Sequence, residues 1–117
     1  MEIENIKFKA KQLNSGKWFD GDLVHLGNMV CIGGDHIKDG ITDVDPSTVC
    51  QFTGLKDTND VPIFEGDIID FDGEGEVVFK DGAFYAKFGK YTECLLCNLV
   101  KSGLPVTIVG NKFDKEK

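Results

Sequence analysis

Apolar and polar side chains alternate along short stretches of the chain, and turn-forming residues separate these stretches. Residues 6–11 alternate between apolar side chains and lysines, a period of two that is typical of a half-exposed β-strand. Gly27-Asn28 and Asp81-Gly82 each lie between two apolar runs, and such pairs form tight hairpin turns. The pattern therefore predicts antiparallel strands joined by hairpins.

The remaining pattern predicts more strands and little helix. Leu95, Leu96, Leu99 and Val100 recur at helical spacing, which predicts a short helix over residues 93–101, with a strand as the alternative. Asp45-Pro46-Ser47-Thr48 predicts a turn or a single helical turn. Residues 36–45 otherwise lack a clear period. Further strands are predicted at residues 17–19, 49–53, 67–71, 76–80 and 105–109. We expect a mostly β fold of small antiparallel units with at most one or two short helices.

Residues 49–69 are predicted to link two β units. Thr53-Gly54 is expected to end one strand, Lys56–Asp60 to form a polar loop, and Gly66-Asp67 to begin the next strand. This places an N-terminal subdomain at 1–48 and a C-terminal subdomain at 49–117, which together also fit one compact domain. FDGDLV at residues 19–24 echoes FEGDII at 64–69, and we favour a shared loop-to-strand chemistry over a duplication.

Composition and charge narrow the function classes. The chain has 117 residues, of which 41% are hydrophobic, and its net charge is −7. An acidic protein without a basic stripe repels phosphate backbones, which argues against nucleic acid as a partner. The sequence has neither an apolar run of ~20 residues nor the order of a signal peptide. We therefore predict no membrane contact, a cytoplasmic location and four cysteines that remain thiols.

Cysteines and carboxylates are the residues with potential chemistry. Cys94-Leu-Leu-Cys97 is the one CxxC motif, and its apolar surroundings favour core packing over a redox pair. Zinc would need a second close pair of ligands, which neither the remaining cysteines nor the two histidines supply. Asp70, Asp72, Glu74 and Glu76 alternate around a glycine turn. A divalent-cation site is the alternative there, but the EF-hand pattern fails and a solvated acidic hairpin is favoured.

Neither a catalytic residue nor a cofactor site is predicted. The serines lie outside any nucleophile elbow, and the spacing of the two histidines favours no triad. Aromatic residues could form a stacking face for single-stranded nucleic acid, but core packing is favoured because such a face normally comes with a positive groove. The aromatic residues weighed in this way are Trp18, Phe19, Phe84, Tyr85, Phe88 and Tyr91.

One family resemblance covers most of the chain. QFTGLKDTNDVPIFEGDII at residues 51–69 resembles the signature of the YopX family, small proteins of phages and prophages of Gram-positive bacteria. IKFKAKQLNSGKWFDGDLVH at 6–25 and TIVGNKFD at 107–114 resemble the family's beginning and end. Lys11 replaces an expected tryptophan and Cys50 an expected glycine, and Asn59-Asp60 is a shuffled Asn-Gly turn. The departure at Lys11 puts in doubt any contact of the missing tryptophan.

The resemblance implies a fold but no established activity. It implies a mostly β architecture with a partly open, SH3-like barrel in the C-terminal half, and no catalytic residues. The residues that carry the signature are predicted to have structural roles. They are Gln51, Thr53, Gly54, Leu55, Asp57, Glu65, Gly66, Asp67, Gly110 and Asn111.

These observations together predict a non-enzymatic module. We expect it to bind a protein partner, with a second copy of the chain among the candidates through exposed strand edges. A nucleic-acid-binding small barrel is the first alternative, and it rests on fold analogy. A metal-assisted enzyme that uses the acidic hairpin is the second.

Overall fold

The computed structural model describes residues 7–114, and most of them lie in β-strands. The strands and the one α-helix are β1 (Phe8–Lys11), β2 (Trp18–Leu26), β3 (Met29–Gly33), β4 (Ile41–Asp43), β5 (Cys50–Lys56), β6 (Pro62–Phe64), β7 (Asp67–Asp70), β8 (Glu74–Lys80), β9 (Ala83–Phe88), β10 (Thr92–Leu95), α1 (Leu96–Lys101) and β11 (Thr107–Asn111). Single 3-10 turns occupy Lys38–Gly40, Pro46–Thr48 and Lys112–Asp114. The predicted mostly β class is confirmed.

The chain divides into two units, Met1–Phe52 and Thr53–Lys117, and the division falls inside β5. The strands of the first unit lie side by side in the order β4-β3-β2-β1-β5. Their pairing is antiparallel, with Leu26 opposite Met29 across the Gly27-Asn28 turn. A single bridge between Gln12 and Val44 also connects the end of β1 to the residue after β4.

The core of the first unit is small and comes from alternate strand positions. Ala10 and Ile32 are fully buried, and Val44 and Ile37 are nearly so. The lysines of β1 alternate with Phe8 and Ala10, so they lie on the opposite face of the strand. The alternation read from the sequence thus separates the core face from the outer face.

The second unit contains a five-stranded sheet in the order β10-β9-β8-β7-β11, and β5 continues into this unit beside β6. Hairpins join β7 to β8 and β8 to β9, the latter through Asp81-Gly82, which both have positive φ. The core of the unit includes α1, whose Leu96 and Leu99 are buried. The buried residues are Ile63, Ile69, Val77, Ala86, Leu96, Leu99 and Val106.

One expectation about strands was wrong, and one stretch without a prediction contains a strand. The strand predicted to end at Thr53-Gly54 continues to Lys56, with Gly54 held at a φ of +85°. The patternless stretch 36–45 contains β4, which is three residues long and pairs with β3. The alternatives for residues 93–101 each hold in part, because β10 occupies the first residues and α1 those that follow.

One feature proposed from the sequence differs in the structure, and two others stay predictions. Residues 19–24 lie inside β2, whereas residues 64–69 cross from β6 through a turn into β7, so the echo has no common backbone structure. Within residues 7–114 the strands do not close into a barrel, and the SH3-like barrel stays a prediction, as does the subdomain boundary at 48/49. The same residues hold no helix that is long and apolar enough to span a bilayer.

Candidate functional site

A buried carboxylate joins three strands of the second unit. Asp67, 1% exposed at the start of β7, accepts hydrogen bonds from the backbone N–H of Phe64 at 2.8 Å and from Asn111 Nδ2 at 2.9 Å. Phe64 ends β6 and Asn111 ends β11. Because a buried charge is costly unless donors surround it, these contacts stabilise the position in which the three strand ends meet.

The turn before Asp67 is also held by hydrogen bonds to neighbouring segments of the chain. Gly66 has a φ of +92°, a conformation that favours glycine. Its N–H donates to Val77 O at 2.8 Å, and its carbonyl accepts from Lys112 N at 2.9 Å. Asn111 Oδ1 accepts from the N–H of Phe113 at 2.9 Å. Gly66, Asp67 and Asn111 therefore form one polar cluster, which we call the Asp67 cluster.

Asp57 organises a second cluster, in the loop between β5 and β6. Its Oδ1 accepts from the N–H groups of Asn59 and Val61, both at 2.9 Å, and its Oδ2 accepts from Ile108 N at 3.0 Å. The adjacent Thr58 exchanges two hydrogen bonds with Val106, each 2.8 Å long. This loop thus covers the outer edge of β11 at Ile108, where the backbone N–H would otherwise be unpaired.

The other signature residues also contact backbone or core. The Thr53 hydroxyl donates to Ile63 O at 2.8 Å and accepts from Leu55 N at 3.1 Å, and Leu55 packs against the core. Gln51 pairs with Phe8 across β1 and β5. Gly110 follows a register shift in β11, and Glu65 is half-buried before the Gly66 turn. The side chains of Thr53, Asp57, Asp67 and Asn111 thus contact main-chain groups or one another.

Comparison with known proteins identifies the family of the chain. The family model described as YopX protein matches residues 5–116, nearly the whole chain. The chain belongs to the YopX family. A search of curated proteins found no match. The YopX signature identified in the sequence thus contains both the Asp67 cluster and the Asp57 loop.

The cysteines of this YopX protein are free thiols in different surroundings. Cys94 packs against the core, whereas Cys97 is half-buried at the start of α1, with Sγ 3.8 Å from Asn98 Oδ1. Cys31 is buried, and its Sγ donates to Asp43 Oδ1 at 3.4 Å. Burial, with this hydrogen bond and the charge of Asp43, raises the pKa of the Cys31 thiol, so burial keeps this thiol in its unreactive form.

The acidic hairpin is built into the sheet. Asp70 pairs with Glu74 across β7 and β8, and its Oδ1 accepts from Gly73 N at 3.1 Å, which closes the turn. Glu76 lies 3.5 Å from Lys112 Nζ. Within residues 7–114, no three His, Cys, Asp or Glu side chains come together as a group able to hold a metal ion. Asp70 thus lies in β7 and Asp72 in the turn, whereas Glu74 and Glu76 lie in β8, where Glu76 forms an ion pair.

Some of the aromatic residues pack in the core, whereas Trp18 lies beside Lys9 and Lys11 and two others are exposed. Phe84 and Phe88 pack against the core of the second unit. Tyr91, predicted to be a core residue, is 92% exposed before β10, so that prediction was wrong. Phe79 is half-exposed beside Phe84, with ring centroids 4.9 Å apart. The turn between β9 and β10 leaves Tyr91 at the edge of the sheet.

Sequence reasoning missed the difference between the two edges of the five-stranded sheet. The Asp57 loop covers β11 at Ile108. On β10, Thr92 and Glu93 are exposed, Leu95 is 36% exposed, and among residues 7–114 the strand beside it is β9 alone. The charged and polar residues between Lys90 and Glu93 are typical of an exposed edge strand. However, which strand lies at an edge depends on strand order and not on the local pattern.

Proposed function

We propose that this YopX protein is a non-enzymatic binding module that contacts a protein partner through the open edge of β10. The asymmetry between the two edges of the five-stranded sheet carries the proposal. Asp57 accepts from Ile108 N on the β11 side, whereas the side chains of β10 are exposed or half-buried. An exposed edge offers main-chain hydrogen bonds to an added strand, and neighbouring side chains select the partner.

The residues around β10 suit a specific contact. Tyr91 presents a nearly fully exposed ring beside the edge, and Leu95 adds apolar surface at the other end of the strand. Glu93 is fixed by Lys80, with Oε1 2.7 Å from Nζ. Aromatic residues are enriched at the centres of protein interfaces. We propose that the partner is a cytoplasmic protein of a bacterium that carries the phage or prophage. A second copy of the chain is one of the candidate partners.

A lysine on β10 is expected to weaken this contact. Leu95→Lys puts a charge on the edge strand, which disfavours strand addition, and the association constant should fall about tenfold or more. Sedimentation velocity over a wide concentration range measures self-association. Photo-crosslinking from position 93 in host lysate, followed by mass spectrometry, measures other partners.

The matched control is Val109→Lys on the opposite edge. Val109 is 53% exposed in β11, so the substitution adds the same charge at a comparably exposed apolar position. It should leave association unchanged, because the Asp57 loop already covers the neighbouring backbone. Equal loss in both variants, or retention in both, would contradict the assignment of β10.

A second candidate, binding of single-stranded nucleic acid, is favoured by the outer face of β1. Lys9 Nζ lies 4.8 Å and Lys11 Nζ 5.5 Å from the centroid of the Trp18 ring. Lys7 Nζ lies 4.7 Å from the Phe52 ring, which is only 5% exposed, so Trp18 is the ring on which a base would stack. An aromatic ring beside cations is the arrangement on which bases stack while phosphates are neutralised. Asp20 pairs with Lys9 across β1 and β2 and reduces the positive charge there.

Salt dependence tests this second candidate. If the face binds single strands, the affinity for labelled oligo(dT) should fall with salt on a log-log line. Replacing Lys9 and Lys11 by Gln should reduce the magnitude of that slope by roughly 1 to 1.5, since each phosphate contact contributes about 0.7 on single strands. Absence of binding at low salt, or an unchanged slope in the variant, would reject nucleic acid as the ligand of this face.

A further inference from the structure

A groove in the second unit lies between the end of β7 and the chain that enters β11. Its volume is about 450 Å³, and it is lined by Asp70, Phe71, Asp72, Leu104, Pro105 and Thr107. Phe71 packs against the core and forms part of the floor, whereas Leu104 is 59% exposed. A concave surface that combines apolar side chains with a few polar groups is typical of ligand sites.

Both walls of the groove are fixed by hydrogen bonds. On the β7 side, Phe71 N donates to Gly73 O at 2.9 Å, and Gly73 N donates to Asp70. On the other side, Leu104 N donates to Ser102 Oγ at 3.2 Å, and Ser102 Oγ donates to Leu99 O at 2.7 Å. Walls held in this way lose little freedom when a ligand binds, which favours affinity.

The charge of the groove indicates what it would bind. Glu76, Glu93 and Asp60 each have a lysine partner. Within the described part of the chain, no ion pair joins a cation to Asp70 or Asp72. Two carboxylates thus border an apolar floor without a compensating charge. The complementary ligand has a cationic group next to an apolar one.

We propose that this groove binds a peptide segment of another protein in which a lysine or arginine adjoins a large apolar side chain. The apolar side chain would lie against Phe71, Leu104 and Pro105, with the cation near Asp70 and Asp72. This site goes beyond the edge contact and does not depend on it. The groove lies next to β7 and β11, whereas β10 is the opposite edge of the sheet.

Amide chemical shifts of the full chain test the proposal with three probes. The probes are glycine-serine octapeptides that carry an adjacent Arg-Leu pair, a Glu-Leu pair or an Arg-Ser pair. The Arg-Leu peptide should shift the signals of residues 70–73 and 102–107, with a Kd about three- to tenfold lower than that of either other peptide. Signals of residues 92–95 report the β10 edge separately, so failure of one site is distinguishable from failure of the other.

Two variants make the test specific. In Asp70→Asn with Asp72→Asn, the first amide oxygen still accepts from Gly73 N, and asparagine tolerates the φ of +57° at position 72. This variant should equalise the affinities for the Arg-Leu and Glu-Leu peptides. Leu104→Ser, at an exposed position, should equalise those for the Arg-Leu and Arg-Ser peptides.

Three results would overturn the proposal. The first is an Arg-Leu peptide that shifts no signals, or that shifts signals only outside the groove. The second is equal binding of all three peptides to the native chain. The third is a concentration-dependent shift of residues 70–73 and 102–107 without peptide, because a second copy of the chain would then occupy the groove.

Discussion

Asp67→Ala is expected to destabilise the second unit by about 3–5 kcal/mol, a large part of the stability of an ordinary domain. The substitution removes the carboxylate that accepts from the Phe64 N–H and from Asn111 Nδ2. Each unsatisfied buried donor costs about 1–3 kcal/mol. Hydrogen exchange read by mass spectrometry on β6, β7 and β11 measures the loss, and it reports each unit separately.

Two further variants show that the effect comes from the carboxylate. Asp67→Asn keeps the shape but turns an NH₂ group toward one of the two donors, so it should also destabilise, by about 2 kcal/mol or more. Asp70→Ala removes an exposed carboxylate with one local bond at 3.1 Å and should cost about 1 kcal/mol or less. If Asp67→Ala cost no more than Asp70→Ala, the Asp67 cluster would not hold the strands together.

The hairpins could be predicted because their determinants are local. Asp81 and Gly82 have φ values of 52° and 82°, and Gly27 one of 60°. Their residue types favour such conformations without help from the rest of the chain. The β4 strand could not be predicted, because three residues show no usable period and pairing with β3 defines them as a strand.

The candidate sites depend on long-range contacts. The signature could be identified from the sequence, but Asp67 and Asn111 are separated by 44 positions, and Asp57 and Ile108 by 51. An aspartate is rarely buried unless donors surround it. Because the donors to Asp67 are not evident in the sequence, the sequence alone predicts that its side chain is exposed. The same limit applies to the groove, since Asp70 and Leu104 come together only when β11 pairs with β7.

Asp57→Ala should have two effects, because the same carboxylate stabilises the loop and covers a sheet edge. Three hydrogen bonds to main-chain N–H groups are lost from a side chain that is 8% exposed. We expect a destabilisation of about 2–4 kcal/mol. The N–H of Ile108 also loses its acceptor at the edge of β11, and exposed edge groups promote pairing with other chains. Urea denaturation followed by circular dichroism measures the first effect, and sedimentation velocity the second.

The neighbouring Asp60→Asn is the matched control for stability. Asp60 is exposed in the same loop at a φ of +67°, which asparagine tolerates, so its midpoint should stay close to that of the native chain. For the second effect, adding Val109→Lys to Asp57→Ala places a charge on the uncovered edge and should restore the native sedimentation pattern. If the double variant still associated as strongly as Asp57→Ala, association would arise from loss of folding and not from β11. Restoration without recovered stability would show instead that Asp57 protects the β11 edge.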